Sequence, residues 1–396
     1  MKIAIPFPPE KISWYQEKLS FDEDSFNKLK GYRSFFIERK AQFSDYFYEY
    51  FNRIEETKFI LSHEERRGHI KKIWEEWFET FFDDFFNHVF LSWLWKSGLR
   101  HVEINIDHRF ITLGYSVLRQ FCHEITRKNI DTAKQETVIS TIDKMVDFCL
   151  MVETHAFIEA TAQCDMEVIR GISHQVRNPL TVIGGNILRL MKHSEKGTSG
   201  IDIPQICHTI TEESQRLENM VSDAVLYSDM YQRDAKFSVI PVKILIHDAM
   251  ERISAQGKAA LADITLEVNV DDLNVQGDAQ DLETMFFYLL QNLLESLDPK
   301  EPYLRISSVY EDPSSPFVQI EVFNKGTFLT PEELDNVFIP FYSAKPHGTG
   351  FGFAIARLAA RKSLGDLQLK VIEGEGTKCV IKLPVPLEPD QPPGDY

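Results

Sequence analysis

Cysteine is scarce and poorly spaced in this chain. The five cysteines in 396 residues (Cys122, Cys149, Cys164, Cys207 and Cys379) are odd in number, and no two form a C-x-x-C pair. That argues against a disulfide framework and a zinc site, and points to a reducing compartment, the cytoplasm. Positive charge is also in deficit: 43 Lys and Arg against 60 Asp and Glu give a formal net charge of −17. A general nucleic-acid binder gains its affinity by neutralising phosphates with Lys and Arg, so this balance argues against one. No uncharged apolar run approaches the roughly 18 residues that cross a bilayer. The opening Met1–Pro6 is too short, and too soon broken by proline, for a secretory signal. The expectation is a chain without a membrane span that senses something inside the cell.

At roughly 150 residues per domain, the length predicts two to three domains. Residues 1–160 have no proline after Pro9 and are dense in aromatics, with Phe35-Phe36, Trp74, Trp77, Phe81-Phe82, Phe85-Phe86, Trp93 and Trp95. Apolar residues recur there at spacings of three and four, which predicts an all-helical domain whose last helix covers about 134–160 and runs on unbroken. Residues 161–235 read as a helical hairpin. Its first seam is Ile172, Val176, Leu180, Ile183, Ile187 and Leu190; Ser194–Gly200 breaks it, and Pro204 opens a second helix with Ile206, Ile210, Leu217, Met220, Ala224 and Tyr227 along one face. Two such seams make half of a four-helix bundle, which a second copy would complete.

From about 236 to 385 the period changes. Strands over 236–241, 264–270, 303–310, 318–324, 367–372 and 378–383 alternate with helices at 242–256, 278–297, 331–336 and 352–363. That pattern predicts an α+β sandwich with helices on one face of a mixed sheet. The tail Pro384–Tyr396, with five prolines, is expected to be disordered, and 386–396 is set apart from the domain as that tail.

Chemistry concentrates first in Ser173-His174-Gln175-Val176-Arg177-Asn178-Pro179-Leu180. His174 falls off the seam set by Ile172 and Val176, so its imidazole is expected to face solvent, as a nucleophile must. Asn178 lies one turn on, on the same face. Pro179 removes a helical hydrogen bond and allows bending. The stretch resembles the phosphoacceptor box of sensor histidine kinases, His-Glu-[hydrophobic]-Arg-[Thr/Asn]-Pro-Leu. The resemblance implies that His174 is the phosphorylated histidine and that Asn178 serves in dephosphorylating its partner. Gln175 stands where the family has an acid thought to take the histidine proton, and an amide cannot act as that base.

Three further motifs follow in the order that the same family has them. Leu289-Leu290-Gln291-Asn292-Leu293-Leu294-Glu295 resembles its N-box, which makes Asn292 the Mg²⁺ ligand between ATP phosphates. Tyr288 replaces an Asn common there. Val322-Phe323-Asn324-Lys325-Gly326 resembles the adenine-binding box, with Asn324 for the usual Asp and Phe328 for its second glycine. An Asn side-chain oxygen can still accept from the adenine amino group. Phe338–Lys345 followed by Gly348-Thr349-Gly350-Phe351-Gly352 resembles the F-box and the second glycine box. Gly348, Gly350 and Gly352 let backbone N–H groups approach phosphates at a helix start, and Lys345 adds charge. The resemblance covers 165–385 and implies a Bergerat-type ATP fold.

Leu94–Phe110 resembles the ligand-bearing region of globin-coupled sensors, with His101, Ile104 and Phe110 matching the family's histidine, isoleucine and aromatic. The resemblance implies non-covalent haem b on His101, with Tyr48 in Asp45-Tyr46-Phe47-Tyr48 as a hydrogen-bond donor to a diatomic gas. Asn105 and His108 depart from the family's Gly and Pro. The whole reading is a homodimeric, haem-controlled histidine kinase that hands its phosphoryl group to a separate response regulator. A nucleotide-binding scaffold without phosphotransfer is the alternative, motivated by Gln175, Tyr288 and Phe328. A gyrase-type ATPase is disfavoured, because such proteins lack the hairpin.

Overall fold

The computed structural model describes residues 5–54, 57–58, 60–61, 70–103, 106–196, 201–256, 264–270, 273–309, 315–326, 329–343, 345, 348–372 and 374–386, with the side chains at 103, 164–165, 167–170, 172–174, 196, 331–332 and 335 outside the description. The chain divides into two compact units, Met1–Cys164 and Asp165–Tyr396.

The first unit is helical. Helix α1 (Pro9–Leu19) begins with proline at its first position, where the missing N–H has no intrahelical partner anyway. The short α2 (Glu23–Asn27) is capped by Asp22, whose carboxylate accepts from the Ser25 N–H. Then come α3 (Arg33–Ile37), α4 (Lys40–Phe51), α5 (Ile70–Asp83), α6 (His88–Glu103) and α7 (His108–Asn129). Asp107 caps α7. The aromatics fill one core: Phe36 stacks on Phe82 and Phe43 on Phe78, each pair at 4.4 Å. Each such side chain contributes about 1.5–3 kcal/mol by leaving water.

Helix α8 (Thr132–Lys196) is the long last helix that was expected to run on unbroken. The final helix of the first segment and the first helix of the hairpin form one element of 65 residues. Pro179 lies inside it and is buried, so the lost hydrogen bond does not end the helix.

The second unit contains the rest of α8 and α9 (Ile203–Gln232), which Asp202 caps through the Gln205 N–H. The expected seam is only partly covered in a single chain: Leu180 is 53% exposed and Ile187 44%. Next follow β1 (Phe237–Pro241), α10 (Val242–Ala255), β2 (Thr265–Asn269), β3 (Asn274–Asp278), α11 (Ala279–Leu294), β4 (Tyr303–Val309), β5 (Phe317–Lys325), α12 (Pro331–Asn336), α13 (Gly352–Lys362), β6 (Asp366–Ile372) and β7 (Gly376–Pro384).

The main sheet has the order β2-β4-β5-β7-β6, with β2 parallel to β4 and the other pairs antiparallel. The sequence reading missed β3, which pairs antiparallel with β1 in a separate two-stranded ribbon. Five residues ending in Gly277-Asp278 carry too little alternation to announce a strand. Leu282, Met285, Phe286, Leu289 and Leu293 of α11 pack on Leu304, Ile306, Val318, Ile320 and Val322 of the sheet. The tail 387–396, expected to be disordered, lies outside the described residues.

Candidate active site

The nucleotide motifs converge between α11, the sheet and the start of α13. Asn324 is 1% exposed. Its Nδ2 donates to the Leu293 carbonyl at 3.3 Å, while its Oδ1 is buried and has no hydrogen-bond partner among the described residues. Thr377 stands opposite it in the β5–β7 register, and its Oγ1 is likewise buried without a partner. Residues directly opposite across an antiparallel pair present their side chains to the same face. Two orphaned oxygens on one face are the signature of a polar ligand site, because buried polar groups are normally paired.

Gly326 follows Asn324 at the end of β5, where an added Cβ would run into the Ser296 carbonyl. At the phosphate end, Gly350 has φ +79° and no room for a Cβ beside the Phe341 backbone. Gly352 opens α13 pressed against the Asn292 amide, and a side chain there would collide with it. Gly348 sits against Ser343. Only glycine lets this loop close as it does.

Asn292 donates from Nδ2 to the Tyr288 carbonyl at 2.8 Å, and its Oδ1 is turned to the Lys345 ammonium at 3.5 Å. Lys345 also reaches the Asn292 carbonyl at 3.1 Å and Glu295 Oε2 at 2.8 Å. An amide oxygen and a carboxylate that already face a cation are hard donors of the kind Mg²⁺ takes, so the residues fit that ion. Lys345 points at these donors, which its sequence assignment to the phosphates did not anticipate.

The loop is joined to the hairpin. Asp223 on α9 accepts from Thr349 Oγ1 at 2.6 Å and from the Tyr288 hydroxyl at 2.6 Å. Burial first, and then the Asp223 charge, push the Tyr288 phenol well above its ordinary range. Arg216 on α9 donates to the Gly348 carbonyl at 3.4 Å and to Gln175 Oε1 at 3.5 Å. Phe341, at φ +68°, lies against Gly171, where an added Cβ would come within 2.8 Å of the phenylalanine Cβ. Gly171 is three residues before His174 on α8. The His174 side chain is outside the described residues; Gln175 is half-buried and Asn178 exposed. Phe328 also lies outside the described residues.

In the first unit, α6 and α8 cross closely at Gly98, where a Cβ would fall 2.5 Å from the Glu153 carbonyl oxygen and 2.8 Å from Ala156 Cβ. One turn on, His101 is partly buried, and its Nδ1 lies 3.1 Å from Glu153 Oε1. Glu153 also accepts from Ser97 Oγ at 2.6 Å and from the Tyr115 hydroxyl at 2.7 Å. Burial raises the Glu153 pKa, but the contacts from His101, Ser97 and Tyr115 outweigh it and hold the carboxyl below its ordinary range. His101 Nδ1 stands beside that carboxylate yet makes no hydrogen bond among the described residues, and an imidazole is a donor of the kind haem iron takes, so the residue type fits that iron. Nearby, the Trp77 ring sits 5.8 Å from Tyr115 with its indole N–H buried and unpartnered. Tyr48 is elsewhere: half-buried, with the Lys71 ammonium 4.6 Å over its ring and Trp74 beside it. Phe47, not Tyr48, turns into the core against Gly114 and Trp77. Ile104 and Asn105 are outside the described residues.

Three family models match the chain in order: protoglobin over residues 9–163, the His Kinase A phospho-acceptor domain over 166–231, and the histidine kinase-, DNA gyrase B- and HSP90-like ATPase over 277–387. The chain carries, in this order, a protoglobin domain and the two domains from which histidine kinases are built.

Relatives of this chain include sensor histidine kinase ZraS of Escherichia coli O157:H7, 24% identical over 57% of this chain and 47% of that protein. Sporulation kinases E and C of Bacillus subtilis are 25% and 28% identical, each over 55% of this chain, and over 28% and 49% of their own lengths. The chain thus spans half or less of the length of these curated relatives. Among solved structures, Acinetobacter baumannii histidine kinase AdeS is similar at TM-score 0.39 and 18% identity, over 54% of this chain and 98% of that one. Histidine kinase ThkA in complex with response regulator protein TrrA is similar at 0.42 and 23%, over 54% and 60%.

Several residues of this chain had not been singled out from the sequence. Glu153 had a signal, a carboxylate amid the apolar Phe148–Val152. Thr377, Asp223 and Arg216 had none, since each gains its meaning from a partner far along the chain.

Proposed function

We propose that the chain is an ATP-dependent protein histidine kinase that phosphorylates its own His174 and passes the group to an aspartate of a separate response regulator. The observation that carries this reading is the attachment of the glycine loop to the phosphoacceptor hairpin, through Thr349–Asp223, Gly348–Arg216 and Phe341–Gly171.

In the transfer step, the lone pair of one imidazole nitrogen of His174 attacks the γ-phosphorus of ATP. The N–P bond forms as the bond to the β,γ-bridging oxygen breaks, and ADP leaves with that electron pair. The proton on the other ring nitrogen passes to water, because Gln175 has no basic site. Catalysis of this kind rests on positioning and charge neutralisation. Asn324 Oδ1 and Thr377 Oγ1 would take the adenine edge, and the loop Gly348–Gly352 the phosphates. Asn292 Oδ1, with Glu295 nearby, would hold Mg²⁺, which neutralises phosphate charge when bound. Asn178, exposed one turn beyond His174, would orient the water that removes the phosphoryl group from the regulator.

Incubating the full chain with [γ-³²P]ATP tests the reading. Acid-labile, alkali-stable label is expected on the wild type and none on His174→Gln. A wild type that binds ATP yet takes no label rejects it and favours the scaffold.

The same reading makes the working form a cytoplasmic homodimer, supported by the exposed Leu180, Ile187, Leu188 and Met191 on one helix of a hairpin that is half a bundle. Haem b on His101, with the Glu153 carboxylate beside its Nδ1, would let a diatomic gas or redox change control the kinase. Tyr48 would contact the gas only after a rearrangement away from Lys71 and Trp74. A visible absorption spectrum, with and without dithionite and carbon monoxide, tests this. A Soret band lost in His101→Ala supports it, and a haemin-reconstituted chain without one rejects it.

A further inference from the structure

Arg216 is a buried cation with fewer acceptors than it needs. Its side chain keeps 13% of its surface exposed. Nη2 donates to Gln175 Oε1 at 3.5 Å and to the Gly348 carbonyl at 3.4 Å, both at the long limit of hydrogen bonding. Nη1 is 3.7 Å from Glu213 Oε2, beyond hydrogen-bond range, and that oxygen is itself buried without a hydrogen-bond partner. Nε is buried and has no hydrogen-bond partner among the described residues. A guanidinium offers five N–H groups in a rigid fork, and leaving them unsatisfied away from water is costly.

The missing partner is a compact anion with several oxygens, which a phosphoryl group supplies with the matching fork geometry. The two acceptors that the arginine does have belong to the two sides of the transfer. Gln175 is the residue after His174, and Gly348 opens the glycine loop.

We infer that Arg216 is a further catalytic residue, which grips the phosphoryl group as it passes from the γ-position of ATP to His174. The inference rests on the kinase reading above. As the bond to the bridging oxygen breaks and the N–P bond forms, the equatorial phosphoryl oxygens carry the charge throughout. Arg216 donates to them without gaining or losing a proton. Glu213, a little too distant to satisfy the cation, holds it in place and leaves its donors available. A purely structural tie between α9 and the loop would instead make short bonds to Gln175 and Gly348.

The test uses the full chain as wild type, Arg216→Gln, Arg216→Lys and His174→Gln, measuring single-turnover labelling from [γ-³²P]ATP and calorimetric affinities for Mg-ATP and Mg-ADP. Arg216→Gln is expected to label about 100-fold more slowly, to bind ADP as the wild type does, and to lose any preference for ATP over ADP. Arg216→Lys, which keeps the charge but not the fork, should fall between, and it decides the matter if the glutamine variant does not fold. Labelling within threefold of wild type, with the ATP-to-ADP ratio intact, would overturn the assignment and leave only a structural tie. If the wild type binds ATP but does not label, the kinase reading falls. The ATP-to-ADP ratio of the variants then decides alone whether the arginine holds a γ-phosphate.

Discussion

Asn324 and Thr377 stand opposite each other across β5 and β7, and each buries a side-chain oxygen that no group among the described residues satisfies. Neither β-strand needs a polar side chain there, since the ladder is built from backbone groups. An apolar pair would make the more stable empty fold, because removing both partners of an unmade hydrogen bond costs little or nothing. The pair makes sense as half of a contact whose other half arrives with a ligand.

Thr377→Val should therefore separate stability from binding. It is expected to leave the melting temperature of the nucleotide-free chain unchanged or raised, and to weaken ATP about threefold to tenfold, corresponding to roughly 0.5–1.5 kcal/mol for one hydrogen bond. Asn324→Ala should weaken ATP more, because it also removes the donor to Leu293. Calorimetric titration with ATP, beside a thermal melt without nucleotide, reads both. Unaltered ATP affinity in the two variants would detach this pair from adenine.

Asp223→Ala removes the acceptor shared by Tyr288 and Thr349. Two hydrogen bonds at about 0.5–1.5 kcal/mol each put the expected loss of stability near 1–3 kcal/mol. The effect should concentrate in the glycine loop, with amide exchange at 348–352 faster than in the wild type while the β5 and β7 amides stay protected. Uniform protection across the loop would mean that Asp223 does not hold it.

Lys362 is buried at the joint between α9 and the ATP-binding domain, donating to the Arg233 carbonyl at 2.6 Å and to the Met230 carbonyl, with Asp281 Oδ2 at 3.2 Å. Burial raises the Asp281 pKa against the opposing pull of Lys362 and Arg233. Lys362→Met would strand that carboxylate with less positive charge, and about 3–5 kcal/mol of destabilisation is expected, as for other broken buried pairs. Scanning calorimetry should show it in the transition of the second unit. A variant that melts with the wild type would show that Lys362 adds nothing to that joint.

Glu153 makes the stability of the sensor domain depend on acid. Its folded pKa lies below the ordinary value of 4.5, so its ionised form stabilises the fold in full above about pH 4.5, and that contribution is lost as pH falls through the folded value. All five tryptophans (Trp14, Trp74, Trp77, Trp93 and Trp95) fall in this unit, so indole fluorescence reports it alone. The melting advantage of the wild type over Glu153→Gln should be largest near neutrality and shrink steadily on acidification below pH 4.5. A constant difference across that range would mean that the carboxylate is not ionised in the fold.

The element types, their order and the motif positions were legible in the sequence because each rests on local rules. Spacings of three and four mark helices, alternation marks strands, and glycines cluster where a backbone must come close to phosphate. The same locality explains the miss at β3, a five-residue strand with too few repeats to show a period. The continuity of α8 was legible as well, since spacings of three and four carry on from one segment into the next, and Pro179 weakens a helix by a bond or two without ending it.

What only the tertiary structure decided is who meets whom. Glu153 meets Ser97 across 56 positions and Tyr115 across 38, Arg216 meets Gly348 across 132, and Asn324 meets Thr377 only through the register of two strands. No pattern along the chain encodes those pairings. They depend on how apolar faces pack and which strand edges pair, and the hydrogen-bonding needs of the polar side chains are met or left open only once that packing exists.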